Sequence, residues 1–324
     1  MIVITGAAGF IGSCIVRYLN EHFSNDLVVV DDFDSSHKWK NLVGKKFVEI
    51  LGKNELFSWL KGKGKEIEAI IHLGACSDTT QRDIQFLLDN NYRYTQQLCE
   101  YALTHQIRFI YASSAATYGS GNEGFSDDHE KLSQLKPLNM YGYSKHLFDL
   151  WAQKENILDQ IVGLKYFNVF GPNEYHKEHM ASMVYKMFFH VIAKKPISLF
   201  KSTSKQYKDG EQQRDFIYVK DAVRMTCAFL ENKQAGGIFN IGRGTPTTWN
   251  ELAKALYAAL NEKENIRYIS MPQSLVGQYQ NYTCADMNKY SFVFCENESL
   301  PQTYSILDSV QDYVRNYLVK NERW

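Results

Sequence analysis

The chain has 324 residues, with 36 Lys+Arg balanced by 36 Asp+Glu. Neutrality removes the global basic field that would argue for nucleic acid, and there is no acidic tail. The length is enough to bury a large core in two lobes or domains, and the 21 Tyr and 19 Phe are spread as in a packed enzyme or an oligomer interface.

Met1-Ile2-Val3-Ile4-Thr5-Gly6 has no basic leader and no small-residue cleavage site, so it is expected to be a first strand and not a signal peptide. No apolar run approaches the ~20 residues of a membrane span. Cys14, Cys76, Cys99, Cys227, Cys284 and Cys295 show no C-x-x-C and no His/Cys metal spacing. A cytoplasmic protein with reduced thiols, no metal and no membrane contact is expected.

Apolar β-branched runs at 2–5, 27–30, 68–73, 107–111 and 161–166 predict buried parallel strands. Stretches 10–22, 83–103 and 141–155 have apolar residues at helical spacing. The alternation predicts an α/β chain with a Rossmann-type doubly wound parallel sheet. Gly6, Gly9 and Gly12 follow the first strand and open the first helix. Gly6 permits the tight turn, Gly9 lets backbone approach a pyrophosphate, and Gly12 allows close helix–strand packing. Asp31 lies 25 residues beyond Gly6, where an acid accepts from the adenosine ribose. Asp31 and Asp32 favour NAD, whereas Lys38 and Lys53 could neutralise the extra phosphate of NADP. Charge alone leaves that choice open.

Strand four ends in Leu73-Gly74-Ala75-Cys76-Ser77, small residues that would let a cofactor lie flat, with Asn90, Asn91 and Asn168 as polar contacts near that edge. Strand five runs into Ser114, whose hydroxyl could bond a substrate oxygen or merely satisfy local backbone. Tyr141 and Lys145 stand one helical turn apart on one face. A free tyrosine titrates near about 10, and a neighbouring cation is expected to draw it down towards use as a base. An ordinary surface pair would have the same spacing.

Beyond about residue 170 the alternation breaks. Gly171-Pro172 ends a strand, a helix is expected over 181–193, and the polar run 201–213 reads as an exposed hairpin or loop. Residues 214–219 read as a return to the sheet, followed by a helix at 221–232 and a strand at 237–241. The expected division is a dinucleotide domain of 1–170 plus about 214–245, and a smaller, interleaved C-terminal substrate domain of about 171–213 plus 246–324.

Gly6–Gly12, Asp31, Gly74-Ala75, Ser114, Tyr141 and Lys145 together resemble the extended short-chain dehydrogenase/reductase superfamily, over almost the whole chain. Within it, Gly74–Ser77, Ser113–Gly119, Tyr141–Lys145 and the run from Tyr166 to Lys177 are similar to one subfamily, the ADP-glycero-manno-heptose 6-epimerases of lipopolysaccharide core synthesis. The resemblance implies NADP held by Phe10, Ile11, Asp31, Asp32, Lys38, Lys53, Leu73, Gly74, Ala75, Cys76, Ser77, Asn90, Lys145, Val169 and Lys177. It implies nucleotide-sugar contacts at Ser114, Asn168, His179, Lys186, Phe200, Lys201, Ser202, Thr203, Arg214 and Tyr279. The chain departs from the subfamily pattern at His179 and Lys186, where Ser and His are expected, and in a longer polar stretch before Gln213.

Arg214 suits a pyrophosphate by its planar fork, or it is a structural ion-pair partner. The implied reaction inverts one carbinol carbon through transient oxidation, with Tyr141 and Lys177 as two acid/base groups and Ser114 polarising the oxygen. A nucleotide-sugar 4-epimerase and a non-catalytic dinucleotide sensor are the alternatives. A 4,6-dehydratase is disfavoured, because Ala115-Ala116 stands where its acid–base pair would be. The aromatic surplus suggests a homo-oligomer.

Overall fold

The computed structural model describes residues 1–33, 36–273, 279–294 and 303–324. Its strands are β1 (Ile2–Thr5), β2 (Leu27–Asp31), β3 (Glu49–Gly52), β4 (Ala69–His72), β5 (Arg108–Ser114), β6 (Ile161–Tyr166) and β7 (Asn168–Phe170). They continue as β8 (Ile197–Phe200), β9 (Gln213–Arg214), β10 (Phe216–Tyr218), β11 (Gly237–Ile241), β12 (Thr247–Thr248) and β13 (Ile266–Ile269). Seven of them form one sheet in the order β11-β6-β5-β4-β1-β2-β3, parallel at every pairing.

Every residue of β1, β2, β4, β6 and β11 is buried, as a sheet covered on both faces requires. β3 is the edge strand and half exposed. It lacks the continuous apolar run that marks the others, so periodicity did not reveal it. Helices Phe10–His22 and Val219–Glu231 pack on each other, and Met140–Lys154 packs on the helical stretch 84–104. With right-handed crossovers, reversal of strand order at β1/β4 puts these pairs on opposite faces.

The stretch 84–104 is α-helical at Ile84–Leu87 and Tyr94–Thr104, with a π-helical turn, Leu88–Arg93, between. Asp83 caps its start by accepting from Phe86 N at 3.0 Å. Asn139 does the same for Met140–Lys154, accepting from Gly142 N at 2.8 Å.

Two expectations are corrected. Residues 214–219 do not rejoin the main sheet. β9 pairs antiparallel with β12, and β10 runs parallel to β7, with Phe216 opposite Asn168. The cause is that the chain peels away from the sheet after Tyr166, and β10 follows it. The 201–213 run is a loop, one of the two readings given, but it is not exposed throughout. Gln212 is fully buried, and Asn250 N donates to Gly210 O at 3.0 Å.

Cys14, Cys76, Cys99, Cys227 and Cys284 are free thiols, while Cys295 lies outside the described residues. Among the described residues no helix is long and apolar enough to cross a membrane, and no cluster could hold a metal ion.

Gly6 has φ +67°, and a Cβ there would stand 2.7 Å from Gly74 N. A Cβ on Gly12 would lie 2.1 Å from Gly6 O, against a carbonyl fixed by the turn. Gly12→Val should therefore destabilise the protein by about 1–3 kcal/mol through overpacking and strip bound nucleotide. Thermal melting and the nucleotide content of purified protein check both.

Candidate active site

The sheet order reverses between β1 and β4, and ligands bind outside the carboxyl ends of strands at such a point. A cleft of about 750 Å³ opens there, lined by Gly6, Gly9–Gly12, Asp31, Lys53, Leu73–Ser77, Ser114, Tyr141, Lys145, Asn168, Lys177 and Trp249, among others. The carboxyl ends of β1, β2, β4 and β5 thus bring together four segments read separately from the sequence.

At one end, the helix Phe10–His22 starts at Gly9 with no side-chain cap. Its free N–H groups and positive end form an anion site. Asp31 accepts from Ala8 N and from Asp32 N, each at 2.7 Å, and pairs with Lys38 at 3.0 Å. Asp32 pairs with Lys53 at 2.6 Å, and Lys53 also donates to Asn90 Oδ1 at 3.2 Å. Two carboxylates and two ammonium groups therefore share the end of β2.

The π-helical turn aims Asn91 at the loop after β4. Its amide accepts from Cys76 N and donates to Cys76 O, both at 2.9 Å, and donates to Ser144 Oγ at 3.0 Å. Asn91 thus ties that loop to the helix carrying Tyr141 and Lys145. The sequence suggested a polar contact here but not this clamp.

At the other end, Tyr141 and Ser114 line the same stretch of the cleft, and Ser114 Oγ accepts from Ala116 N at 3.1 Å. Burial pushes the Tyr141 phenol up, Ser114 opposes this, and the nearby Cys76 adds to it. The expectation that Lys145 lowers Tyr141 is therefore not met, because desolvation is the largest influence on the phenol.

Lys145 is 3% exposed. Burial pulls it down to about 8, against the attraction of Asp149. Its ammonium makes no hydrogen bond to a described residue and lines the cleft, which leaves it for a ligand. Asp149, one turn further along the same face, is fully buried and holds Lys165 at 3.3 Å. It also accepts from Tyr111 at 2.9 Å and Ser113 at 2.8 Å.

Lys177 enters the same cleft from the turn after β7 and donates to Ser77 Oγ at 3.1 Å. Burial lowers it, opposed by Glu174 and Cys76. Val169 and Asn168 line the cleft nearby.

In β9, Arg214 is 7% exposed. Its guanidinium lies 4.9 Å from the Tyr279 ring centre and 5.9 Å from that of Trp249. Trp249 Nε1 donates to the Tyr279 hydroxyl at 2.8 Å, and Phe200 meets Tyr279 edge-on at 6.2 Å. Among the described residues no carboxylate pairs with Arg214, so the ion-pair alternative is not what the fold contains.

Ser202 is engaged within its own loop, donating to Ser204 O at 2.9 Å, and Lys201 and Thr203 are exposed. His179 stands 3.6 Å from Asp78, and Lys186 donates to His179 O at 2.6 Å. Neither of these two lines the cleft. Trp249, Phe216, Glu174 and His176 do line it, and sequence reasoning missed them. Trp249 begins a helix behind a Thr248/Glu251 capping box. That motif was visible, but its distance to Arg214 was not.

A family model, the NAD dependent epimerase/dehydratase family, matches residues 2–242. The chain belongs to this family. It is 47% identical over 321 residues, 98% of each chain, to the ADP-L-glycero-D-manno-heptose-6-epimerase of Nitratidesulfovibrio vulgaris. It is 43% identical to that of Fusobacterium nucleatum, with 100% of each covered. A crystal structure of the Helicobacter pylori ADP-L-glycero-D-manno-heptose-6-epimerase superposes with a TM-score of 0.78 at 29% identity, covering 97% of this chain and 95% of that one. Family membership fits the uncapped helix end and the unpartnered Lys145, both of which suit an NAD(P) cofactor.

Lys145 offers a stability test. Its value falls from 10.5 to about 8 on folding, so between those limits the unfolded chain binds more protons and stability rises with pH. Nucleotide-free Lys145→Met should therefore melt above the wild type at pH 7. The gap should close as pH rises from about 8 to 10.5, which melting curves across that range would measure.

Proposed function

We propose that the chain interconverts ADP-D-glycero-D-manno-heptose and ADP-L-glycero-D-manno-heptose by inversion at C6, for lipopolysaccharide core precursors. The observation that carries this reading is that Tyr141 and Lys177, from distant segments, line one cleft beside Ser114, in a chain 47% identical to an enzyme of that name. NADP is the proposed cofactor, supported by Lys38 and Lys53 beside Asp31 and Asp32. Bound NADP would supply the reversible hydride acceptor that turns the carbinol into a ketone.

The chain's own task is the proton. The C6 carbon has no acidic C–H, so inversion requires a hydroxyl proton to leave and another to return after the sugar presents its second face. Environment separates the two candidates. Burial holds Tyr141 in its protonated, donating form and pulls Lys177 towards its neutral, accepting form. Titrating groups pushed apart in this way divide into acid and base. Lys177 thus accepts the proton from one epimer and Tyr141 delivers one to the oxygen as the ketone is reduced in the other presentation, with roles exchanged in reverse. Proton exchange with water between turnovers returns Lys177 to its neutral and Tyr141 to its protonated form. Ser114, which lines the cleft with them, orients the oxygen between them.

Arg214, boxed by Tyr279 and Trp249, is proposed to take the substrate pyrophosphate. The lobe division at about 171–213 plus 246–324 is proposed as the substrate side, since β11 returns to the main sheet. Exposed Phe86, Met140 and Tyr143 on neighbouring helices support a homo-oligomer. Five free thiols suit a reducing cytoplasm.

Incubation with ADP-D-glycero-D-manno-heptose and no added cofactor should change the NMR signal of the C6 proton. Tyr141→Phe and Lys177→Met should each lower turnover by about 10²–10⁴-fold, with bound nucleotide retained. A fully active Lys177→Met enzyme would remove the two-base mechanism. Nucleotide released on denaturation should carry a 2′-phosphate, and its absence would replace NADP by NAD.

A further inference from the structure

We propose that Asn41 is a positioning residue for Lys177, tying the turn that carries the lysine to the glycine turn of the cofactor site. The inference rests on the reading of Lys177 as an acid/base group. Asn41 is 2% exposed and belongs to the short helical turn His37–Leu42, which also bears Lys38. Its Nδ2 donates to Ala8 O and to Asn173 O, both at 3.0 Å, and lies 3.3 Å from His176 Nδ1. Its Oδ1 accepts from Arg323 Nε at 3.1 Å. One buried amide therefore joins the glycine turn, the segment 173–176 and residue 323.

The segment needs such a restraint. Asn173 has φ 77° and Glu178 has φ 47°, so residues in uncommon left-handed backbone bracket Lys177. Such residues persist only where surrounding structure over-determines them. Asn173 adds a second tie, donating to Ser13 Oγ at 3.0 Å in the helix that opens from the glycine turn. Beyond these asparagines, Lys177 itself is held by its own N–H to Glu174 O at 2.9 Å and by its ammonium to Ser77 Oγ at 3.1 Å. A lysine has a long, flexible stem, so the ammonium reaches the substrate oxygen only if the backbone beneath it is fixed. Asn41 fixes that backbone against the loop that seats the cofactor.

The test is a double-mutant cycle between Asn41→Leu and Lys177→Met, with kcat expressed per bound nucleotide so that cofactor loss is removed from the comparison. Asn41→Leu should lower kcat by about tenfold or more, as misplacement of a reacting group does, with KM unchanged. In the Lys177→Met background the same substitution should have no further effect, because interacting residues are non-additive. Equal losses in both backgrounds, or an unchanged kcat, would overturn the proposal. If Asn41→Leu does not fold, Arg323→Ala removes the outer contact of the amide together with the guanidinium that lies 5.2 Å from the Tyr175 ring centre in the same turn. It should give a smaller loss of kcat that also vanishes in the Lys177→Met background, and persistence of that loss there would refute the idea. Full activity of Lys177→Met alone would instead defeat the two-base reading on which the inference stands.

Discussion

Gly6 and Gly74 stand where the turn after β1 meets the loop after β4, and neither leaves room for a side chain. A Cβ on Gly6 would come within 2.7 Å of Gly74 N, and one on Gly74 within 3.1 Å of Thr5 Oγ1. This contact sets the floor of the cleft. It puts the start of the first helix over the carboxyl ends of two central strands, with its free N–H groups turned to the crevice. It also brings Leu73–Ser77 within reach of Asn91 and Lys177. The nucleotide end and the catalytic end are thus fixed by one backbone approach.

Desolvation then decides the chemistry of what faces the cleft. It raises Tyr141 and lowers Lys145 and Lys177, so one physical cause moves the phenol and the two ammonium groups in opposite directions. The buried Asp149–Lys165 pair beneath them acts in the opposite sense. Asp149 partly restores the charge of Lys145 from one helical turn away. It is held by three groups from β5 and β6. A buried pair of this kind is weak evidence for stability. Its place behind the catalytic face makes fixing that helix its more telling role.

The main sheet was legible because its strands are buried on both faces and read as unbroken apolar runs. β1 and β6 fell at their predicted limits, and the glycine turn, Asp31, Ser114, Tyr141, Lys145 and Lys177 converge on one cleft. The edge strand β3 was invisible for the complementary reason, being half exposed. The run 214–219 has strand character, but which strand it joins depends on β7 leaving the sheet, a non-local event with no local signature. The direction of the Tyr141 shift was misjudged because a four-residue spacing reports charge proximity but not burial. Trp249 and Asn41 were missed because each works by contacts with chain segments far away in sequence.

The surroundings of Arg214 obey a different logic from the sheet edge. At the end of β2, Asp31 pairs with Lys38 and Asp32 with Lys53, and a ligand there must exchange with existing ion pairs. Arg214 is the reverse case: a buried guanidinium whose burial is compensated by aromatic faces and by its own bond to Gln213 O at 2.8 Å. Cation–π contact offsets desolvation only in part, so the site is favourable to an anion without displacing one already there. At the end of β2 an anion meets ammonium groups that are already paired, whereas at Arg214 it meets a guanidinium whose charge is offset only by aromatic faces and a carbonyl. The two places therefore differ in what an arriving negative charge must displace.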